Sequence, residues 1–254
     1  MTFCLGIKVR DGLIGIADTR VISGNENISG RKISVYEHDG HSFFLMTSGL
    51  RSVRDKAVAY FEETLEEEER TMDRFFKVVN SFATQIRRVA AEDSRALEEG
   101  GLRFNIFCLM GGKMANDKEH HLYLIYPEAN WVEIGPGTPY HIIGSGGYGK
   151  PVLDRTLKFD DSMQFALKVG CLAFDSTRIS AADVDFPIDV CLLFDDGRLV
   201  QRRFEQEELA EISEGWHERL RNSVANLPAN WLNSFFEAID KERAEEAFPE
   251  RSVR

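Results

Sequence analysis

The chain has 254 residues, of which 43% are apolar, 29% charged and 11% aromatic, with only 7 prolines. That composition can fill a core for one large domain or two small ones, and it excludes a disordered, collagen-like or disulfide-stapled chain. A net charge of -11, from 42 acidic against 31 basic residues, repels phosphate, so nucleic acid and anionic membrane surfaces are excluded as partners.

The N-terminus, Met-Thr-Phe-Cys-Leu-Gly-Ile-Lys, lacks the charged region, apolar core and cleavage site of a signal peptide, and no apolar run reaches bilayer length. Phe3 to Val9 and Leu13 to Ala17 read as strands joined by Asp11-Gly12, a strong hairpin signal. Lys32 to Tyr36 and Ser42 to Thr47 repeat the pattern across His38-Asp39-Gly40. From Ser52 to about Leu97 there is neither glycine nor proline, and Val78, Phe82, Ile86 and Val89 keep helical spacing. A break near residues 66–71 divides this stretch into two helices. The run from Glu62 to Glu69 holds six glutamates in eight positions, the composition of a solvated helix face.

Phe104 to Met110 and His121 to Tyr126 form another strand pair, Tyr140 to Ile143 a further strand, and Met163 to Phe174 a helix. Ile188 to Phe194 and Arg198 to Phe204 close a third Asp-Gly hairpin at Asp196-Gly197. Antiparallel strands in groups, separated by groups of helices, mean an α+β layered fold rather than a parallel βαβ one. From about Glu207 the chain is helical and acidic. We therefore divide it into a domain of residues 1–205 and a helical C-terminal extension of residues 206–254. In the extension, Trp216, Leu220, Val224 and Leu227, then Trp231, Phe235 and Ile239, make apolar stripes that cover either the chain's own sheet or a neighbouring subunit.

Several constellations carry less than they promise. Gly144 to Gly149 matches G-x-G-x-x-G, but no acid follows at the ribose-binding distance and the surroundings are antiparallel. Those glycines read instead as a tight turn passing close to another part of the backbone. His120 and His121 are adjacent and point to opposite faces of a strand, while His38 and His41 straddle a hairpin turn. Neither pair makes a metal site, and no Ser/His/Asp order stands out. The four cysteines (Cys4, Cys108, Cys171, Cys191) are far apart, which fits reduced thiols in a cytoplasmic protein without structural zinc. Cys4, inside an apolar strand, reads as a packed thiol.

Position 2 is the informative one. Threonine is small enough for routine removal of the initiator Met1, after which Thr2 carries a hydroxyl nucleophile and a free α-amine of pKa about 7.7–8.0. Such an amine serves as general base for its own hydroxyl. Asp18 follows the second strand and Lys32 opens the third, so a folded hairpin with a third strand alongside can bring both next to Thr2. A lysine ammonium there favours the alkoxide and keeps the amine neutral. A plain surface Asp–Lys pair at strand ends is the competing reading.

Thr2-Phe3-Cys4-Leu5-Gly6-Ile7, Ala17-Asp18-Thr19-Arg20, Gly30-Arg31-Lys32, Ser48-Gly49-Leu50, Ile143-Gly144-Ser145-Gly146-Gly147-Tyr148 and Pro187-Ile188-Asp189-Val190 stand in the order seen in proteasome β subunits. The chain thus resembles the N-terminal nucleophile hydrolases. The absence of a propeptide before Thr2 and the long helical C-terminus look most like the family's bacterial proteasome-like peptidases. The resemblance implies a four-layer αββα sandwich of two antiparallel sheets flanked by helices, and a threonine peptidase that needs no cofactor or metal. It places the nucleophile at Thr2, the tuning pair at Asp18 and Lys32, and the oxyanion-hole N–H at Gly49. Ser145 and Asp175, near a helix end, match the groups that position the terminal amine. The family's serine three residues after that aspartate is Arg178 here, with Ser176 and Thr177 as substitutes. Val21, Thr47 and Arg51 match positions lining the pocket for the residue before the scissile bond, where Arg51 suits a medium or acidic side chain. Relatives form rings or open spirals, so the resemblance implies a homo-oligomer acting on peptides or unfolded proteins, with or without an unfoldase to deliver them. An amidase or isopeptidase on the same fold, and an assembly subunit without activity, are the alternatives.

Overall fold

A computed structural model describes residues 2–23, 26–38, 41–68, 72–237 and 239. The Asp11-Gly12 turn closes the first hairpin: β1 (Phe3–Val9) runs antiparallel to β2 (Gly12–Asp18), with Cys4 opposite Ala17 and Val9 opposite Gly12. The short β3 (Arg20–Ser23) and β4 (Glu26–Ser29) then pair with each other. β5 (Ile33–His38) and β6 (His41–Gly49) form the second expected hairpin, whose turn at Asp39-Gly40 lies outside the described residues.

The glycine-free stretch makes two helices, α1 (Arg51–Glu68) and α2 (Phe75–Glu99). The expected break at 66–71 agrees with the end of α1, and residues 69–71 lie outside the described ones. Next come β7 (Ile106–Lys113), β8 (His121–Ile125), β9 (Trp131–Glu133) and β10 (Tyr140–Gly144). Two helices follow, α3 (Lys150–Thr156) and α4 (Met163–Ser180), then β11 (Ile188–Phe194), β12 (Leu199–Phe204) and α5 (Gln206–Ala225). A 3-10 turn at Asn230–Leu232 comes after α5. Helix α4 continues to Ser180, six residues past the expected end at Phe174, so Asp175 sits inside the helix rather than at its end.

One five-stranded sheet has the order β10-β1-β2-β11-β12, and a second has β5-β6-β7-β8-β9. Strand alternation assigns the cores. On β1, Phe3, Leu5, Ile7 and Val9 turn outward and pack with Ala166, Val169, Ala173 and Phe174 of α4. Cys4 turns inward and joins Phe44, Met46, Leu109, Leu122 and Cys191 between the sheets. The outer face of the second sheet packs Phe43, Leu45, Cys108 and Met110 against Val53, Ala57 and Phe61 of α1 and Phe75, Val78, Phe82, Ile86 and Val89 of α2. Helices, sheet, sheet and helices make four layers, as expected. Each fully buried Leu, Ile or Phe contributes about 1.5–3 kcal/mol, so the three clusters hold the layers together.

By its contacts the chain forms two compact units, Met1–Glu211 and Ile212–Arg254. In the second unit Leu220, Val224, Leu227, Trp231, Phe235 and Ile239 are all exposed. The helices were searched among the described residues, and none is long and apolar enough to cross a membrane.

Candidate active site

The head of β1 is held from two sides. Its register with β10 places Phe3 opposite Gly144, and the Ser145 N–H donates to the Thr2 carbonyl at 2.7 Å. On the other side of the same peptide link, the Phe3 N–H donates to Asp18 Oδ1 at 2.8 Å. Both ends of the Thr2–Phe3 peptide are therefore fixed, one by a turn 143 residues further on and one by the last residue of β2. Thr2 itself is half-buried.

The turn after β10 needs glycine to make this contact. Gly144 has φ of 90°, and a Cβ there would lie 1.8 Å from the Thr2 carbonyl oxygen. The reading of this glycine run as a turn passing close to backbone is borne out. Gly49, at the end of β6, is similarly constrained: its φ is 134° and a Cβ would meet the Asn105 carbonyl oxygen at 2.3 Å. It leaves the sheet exposed, just ahead of α1.

Asp18 and Lys32 form a buried ion pair, not a surface one. Lys32 Nζ donates to Asp18 Oδ1 at 2.7 Å and to the Arg20 carbonyl at 2.6 Å. The side chains are 0% and 8% exposed for Asp18 and Lys32 respectively. A single carboxylate oxygen thus accepts from the Thr2–Phe3 peptide and from the ammonium. Asp18 Oδ2 is buried and has no partner among the described residues. Burial pushes the Asp18 carboxyl above its ordinary range, while the Lys32 charge and the Phe3 and Arg20 backbone bonds pull the other way.

Parts of this frame were invisible in the sequence. Thr19 is fully buried, and both its N–H and its hydroxyl donate to the Pro187 carbonyl, at 3.1 and 2.8 Å. The Arg20 guanidinium reaches Asp185 at 3.1 Å. The segment before β11 therefore fixes residues 19 and 20, whose backbone in turn holds Lys32. Carbonyl groups carry no residue signature, and only the X-Pro-Ile start of β11 hints that this segment matters.

The residues expected to position the terminal amine depart from the family pattern. Ser162 caps α4, accepting from the Phe165 N–H, and Asp175 lies buried on that helix. Arg178 replaces the serine and donates to Asp175 Oδ1 at 2.7 Å. Its guanidinium also lies 5.2 Å from the centroid of the Phe186 ring. Ser176 and Thr177 turn their hydroxyls back onto their own helix, to the carbonyls of Leu172 at 2.9 Å and Ala173 at 2.8 Å. Ser145 is buried beside the Thr2 carbonyl.

The expected pocket residues are more scattered. Thr47 is buried on β6, and its carbonyl accepts from the Cys4 thiol at 3.8 Å. Arg51 opens α1, well exposed and bonded to Asp55 at 3.3 Å. Val21 lies on β3, with its side chain outside the described residues. Arg54, which the sequence did not single out, donates to the Arg31 carbonyl at 3.2 Å and to Asp55 at 2.8 Å. Cys4 is a packed thiol, and burial pushes its pKa far up, so it is no rival nucleophile.

Two helix-covered antiparallel sheets, with a first strand that begins over a buried Asp–Lys pair, define the architecture of the N-terminal nucleophile hydrolases. The chain belongs to the proteasome subunit family, whose model matches residues 2–191. Among solved structures it is similar to a Gly-1 mutant of Anbu from Hyphomicrobium sp. strain MC1, at 26% identity and a TM-score of 0.82, covering 90% of this chain and 98% of that one. Anbu from Yersinia bercovieri, described as an ancestral beta-subunit, matches at 25% identity and 0.81, covering 89% and 97%. The helical assembly of the Anbu complex from Pseudomonas aeruginosa matches at 25% and 0.80, also covering 89% and 97%. A search of curated proteins found no match.

Proposed function

We propose that the chain is an N-terminal threonine peptidase of the proteasome type. The carrying observation is the double use of Asp18 Oδ1, which ties a buried ammonium to the peptide that follows Thr2. Once Met1 is removed, the Thr2 amine takes the proton from its own hydroxyl, and the hydroxyl oxygen attacks the scissile carbonyl. Lys32 stabilises the developing alkoxide, and Asp18 holds the ammonium in place through its 2.7 Å bond. The oxyanion of the tetrahedral intermediate is received by the Gly49 N–H. The amine, now protonated, then gives its proton to the leaving nitrogen and breaks the C–N bond, leaving an acyl-enzyme ester on Thr2. Water, with the amine again as base, hydrolyses that ester. Ser145 and Asp175 orient the amine, with Arg178 holding Asp175, and Val21, Thr47 and Arg51 line the pocket before the scissile bond.

The reading extends to assembly. The exposed Leu220, Val224, Leu227, Trp231, Phe235 and Ile239 favour an intersubunit role for the segment from residue 206 onward. A helical assembly is recorded for the Pseudomonas aeruginosa Anbu complex, and a homo-oligomer of this chain would keep its nucleophiles away from folded proteins of the cytoplasm. Intact-mass measurement should show loss of Met1, and a β-lactone or epoxyketone should add once per subunit, on Thr2. Thr2→Ala should abolish peptide cleavage and leave assembly size unchanged. Retained Met1, an adduct on Cys4, or full activity of Thr2→Ala would each refute the assignment.

A further inference from the structure

The segment between α4 and β11 carries an acid that none of the roles above uses. Ile188, the first residue of β11, stands opposite Asp18 in the sheet register. Followed backwards from there, the chain runs on beside the residues after β2. The Pro187 carbonyl takes both bonds from Thr19, and Asp185 takes the Arg20 guanidinium at 3.1 Å. Two residues earlier is Asp183, half-buried, in a turn closed by the Val184 N–H on the Ala181 carbonyl at 3.1 Å. The backbone that anchors this segment, residues 19 and 20, also receives Lys32, through the Arg20 carbonyl at 2.6 Å.

Asp183 therefore belongs to the charge balance of the candidate site. Burial pushes its carboxyl up, but a bond from the chain's terminal ammonium and the charge of that ammonium, with Lys32 adding to them, hold it below the ordinary carboxylate range. The neighbouring acids are committed elsewhere: Asp18 to Lys32, Asp175 to Arg178 and Asp185 to Arg20. In the full-length chain the terminal ammonium belongs to Met1. Excision moves it by one residue, about 3.8 Å of chain, onto Thr2. The Phe3 N–H next to Thr2 is bonded to the same Asp18 oxygen that takes Lys32, so the moved ammonium stays close to an acid that Lys32 already reaches.

The two charges act on the Thr2 amine in opposite senses. An ammonium nearby lowers the amine pKa, and a carboxylate within about 4–6 Å raises it. A base depressed by Lys32 alone is neutral but weak, and a general base works best when its pKa lies near the working pH. We propose that Asp183 is a positioning residue for the Thr2 amine, orienting that nitrogen towards the Thr2 hydroxyl and offsetting the charge of Lys32. It joins Ser145 and Asp175 in that role. The proposal rests on the peptidase reading, because the amine it positions exists only once Met1 is removed.

The test uses the full chain, with loss of Met1 verified by intact mass. Reaction of the Thr2 amine with limiting acetic anhydride is followed as a function of pH, and mass spectrometry of the N-terminal peptide separates it from acetylation of lysines. Only the neutral amine reacts, so the midpoint of the curve reports its pKa without any turnover. Asp183→Asn keeps the shape and removes the charge; it should lower the midpoint by about one pH unit, while Asp183→Glu should stay near wild type. The acid limb of kcat/KM should move down with the midpoint. At the plateau, kcat should fall about ten-fold in Asp183→Asn, the scale of a hydrogen bond to a charged group, with KM unchanged. A merely structural acid would lower activity and leave the midpoint in place. That result overturns the role of Asp183 and leaves the peptidase standing. A lowered midpoint in a chain that cleaves no peptide does the reverse, and retained Met1 refutes both.

Discussion

Replacing Lys32 by methionine keeps most of the stem's volume and removes only the ammonium. Asp18 then retains its bond from the Phe3 N–H but loses the 2.7 Å partner on the same oxygen, while Oδ2 already has none among the described residues. Breaking a buried pair by deleting one partner costs about 3–5 kcal/mol, a large share of the roughly 5–15 kcal/mol that holds a domain folded. The cost must depend on pH. Burial already raises the Asp18 pKa, and loss of the ammonium raises it further. A carboxyl whose folded pKa is raised is accommodated below its unfolded pKa of about 3.9, and stability is lost as pH climbs towards the folded value. Lys32→Met should therefore lose more stability relative to wild type at pH 8 than at pH 5. Urea denaturation at fixed protein concentration reads this directly, and the concentration must be fixed because assembly contributes to stability. Adding Asp18→Asn to Lys32→Met should recover part of the loss, since no buried charge remains. A pH-independent cost under about 1 kcal/mol, the size of a surface pair, would show that Asp18 and Lys32 are solvated and that their role in tuning Thr2 is wrong.

Gly144→Ala places a methyl group against the Thr2 carbonyl at a φ that L-residues avoid. On the proposed mechanism, displacing Thr2 by about 1 Å should lower kcat/KM by about 100-fold with far-UV CD unchanged; unimpaired turnover would separate the turn from the chemistry. Because Asp18 must be ionised to hold Lys32 and its pKa is raised by burial, the acid limb of kcat/KM should lie above the ordinary carboxylate range. A limb near pH 4 would contradict that. Removing the chain from Ala229 onward should give smaller species on sedimentation velocity together with reduced peptidase activity. Native assembly size in the truncated protein would refute the interface role of Trp231, Phe235 and Ile239.

Local rules made most of the scaffold readable in the sequence. An Asp-Gly turn closes a hairpin through its own backbone preferences, so β1–β2, β5–β6 and β11–β12 were legible, as were the long helices, whose apolar residues repeat at 3.6-residue spacing. The elements missed are short or polar: β3 and β4 at four residues each, β9 at three, and α3 at seven. Such pieces bury too little of one face to leave a pattern. Thr2, Asp18 and Lys32 could be named because their side chains advertise their chemistry. The contacts that bring them together could not, because they are made by groups without a residue signature or by partners far along the chain. The Ser145 N–H and the Arg20 and Pro187 carbonyls take their positions from sheet register and the packing of the sheets. Sequence determined which groups are present and how each local segment folds. Only the packing of two sheets decided that one oxygen of Asp18 would serve both the Thr2–Phe3 peptide and a buried lysine, since that geometry depends on distance in space and not along the chain.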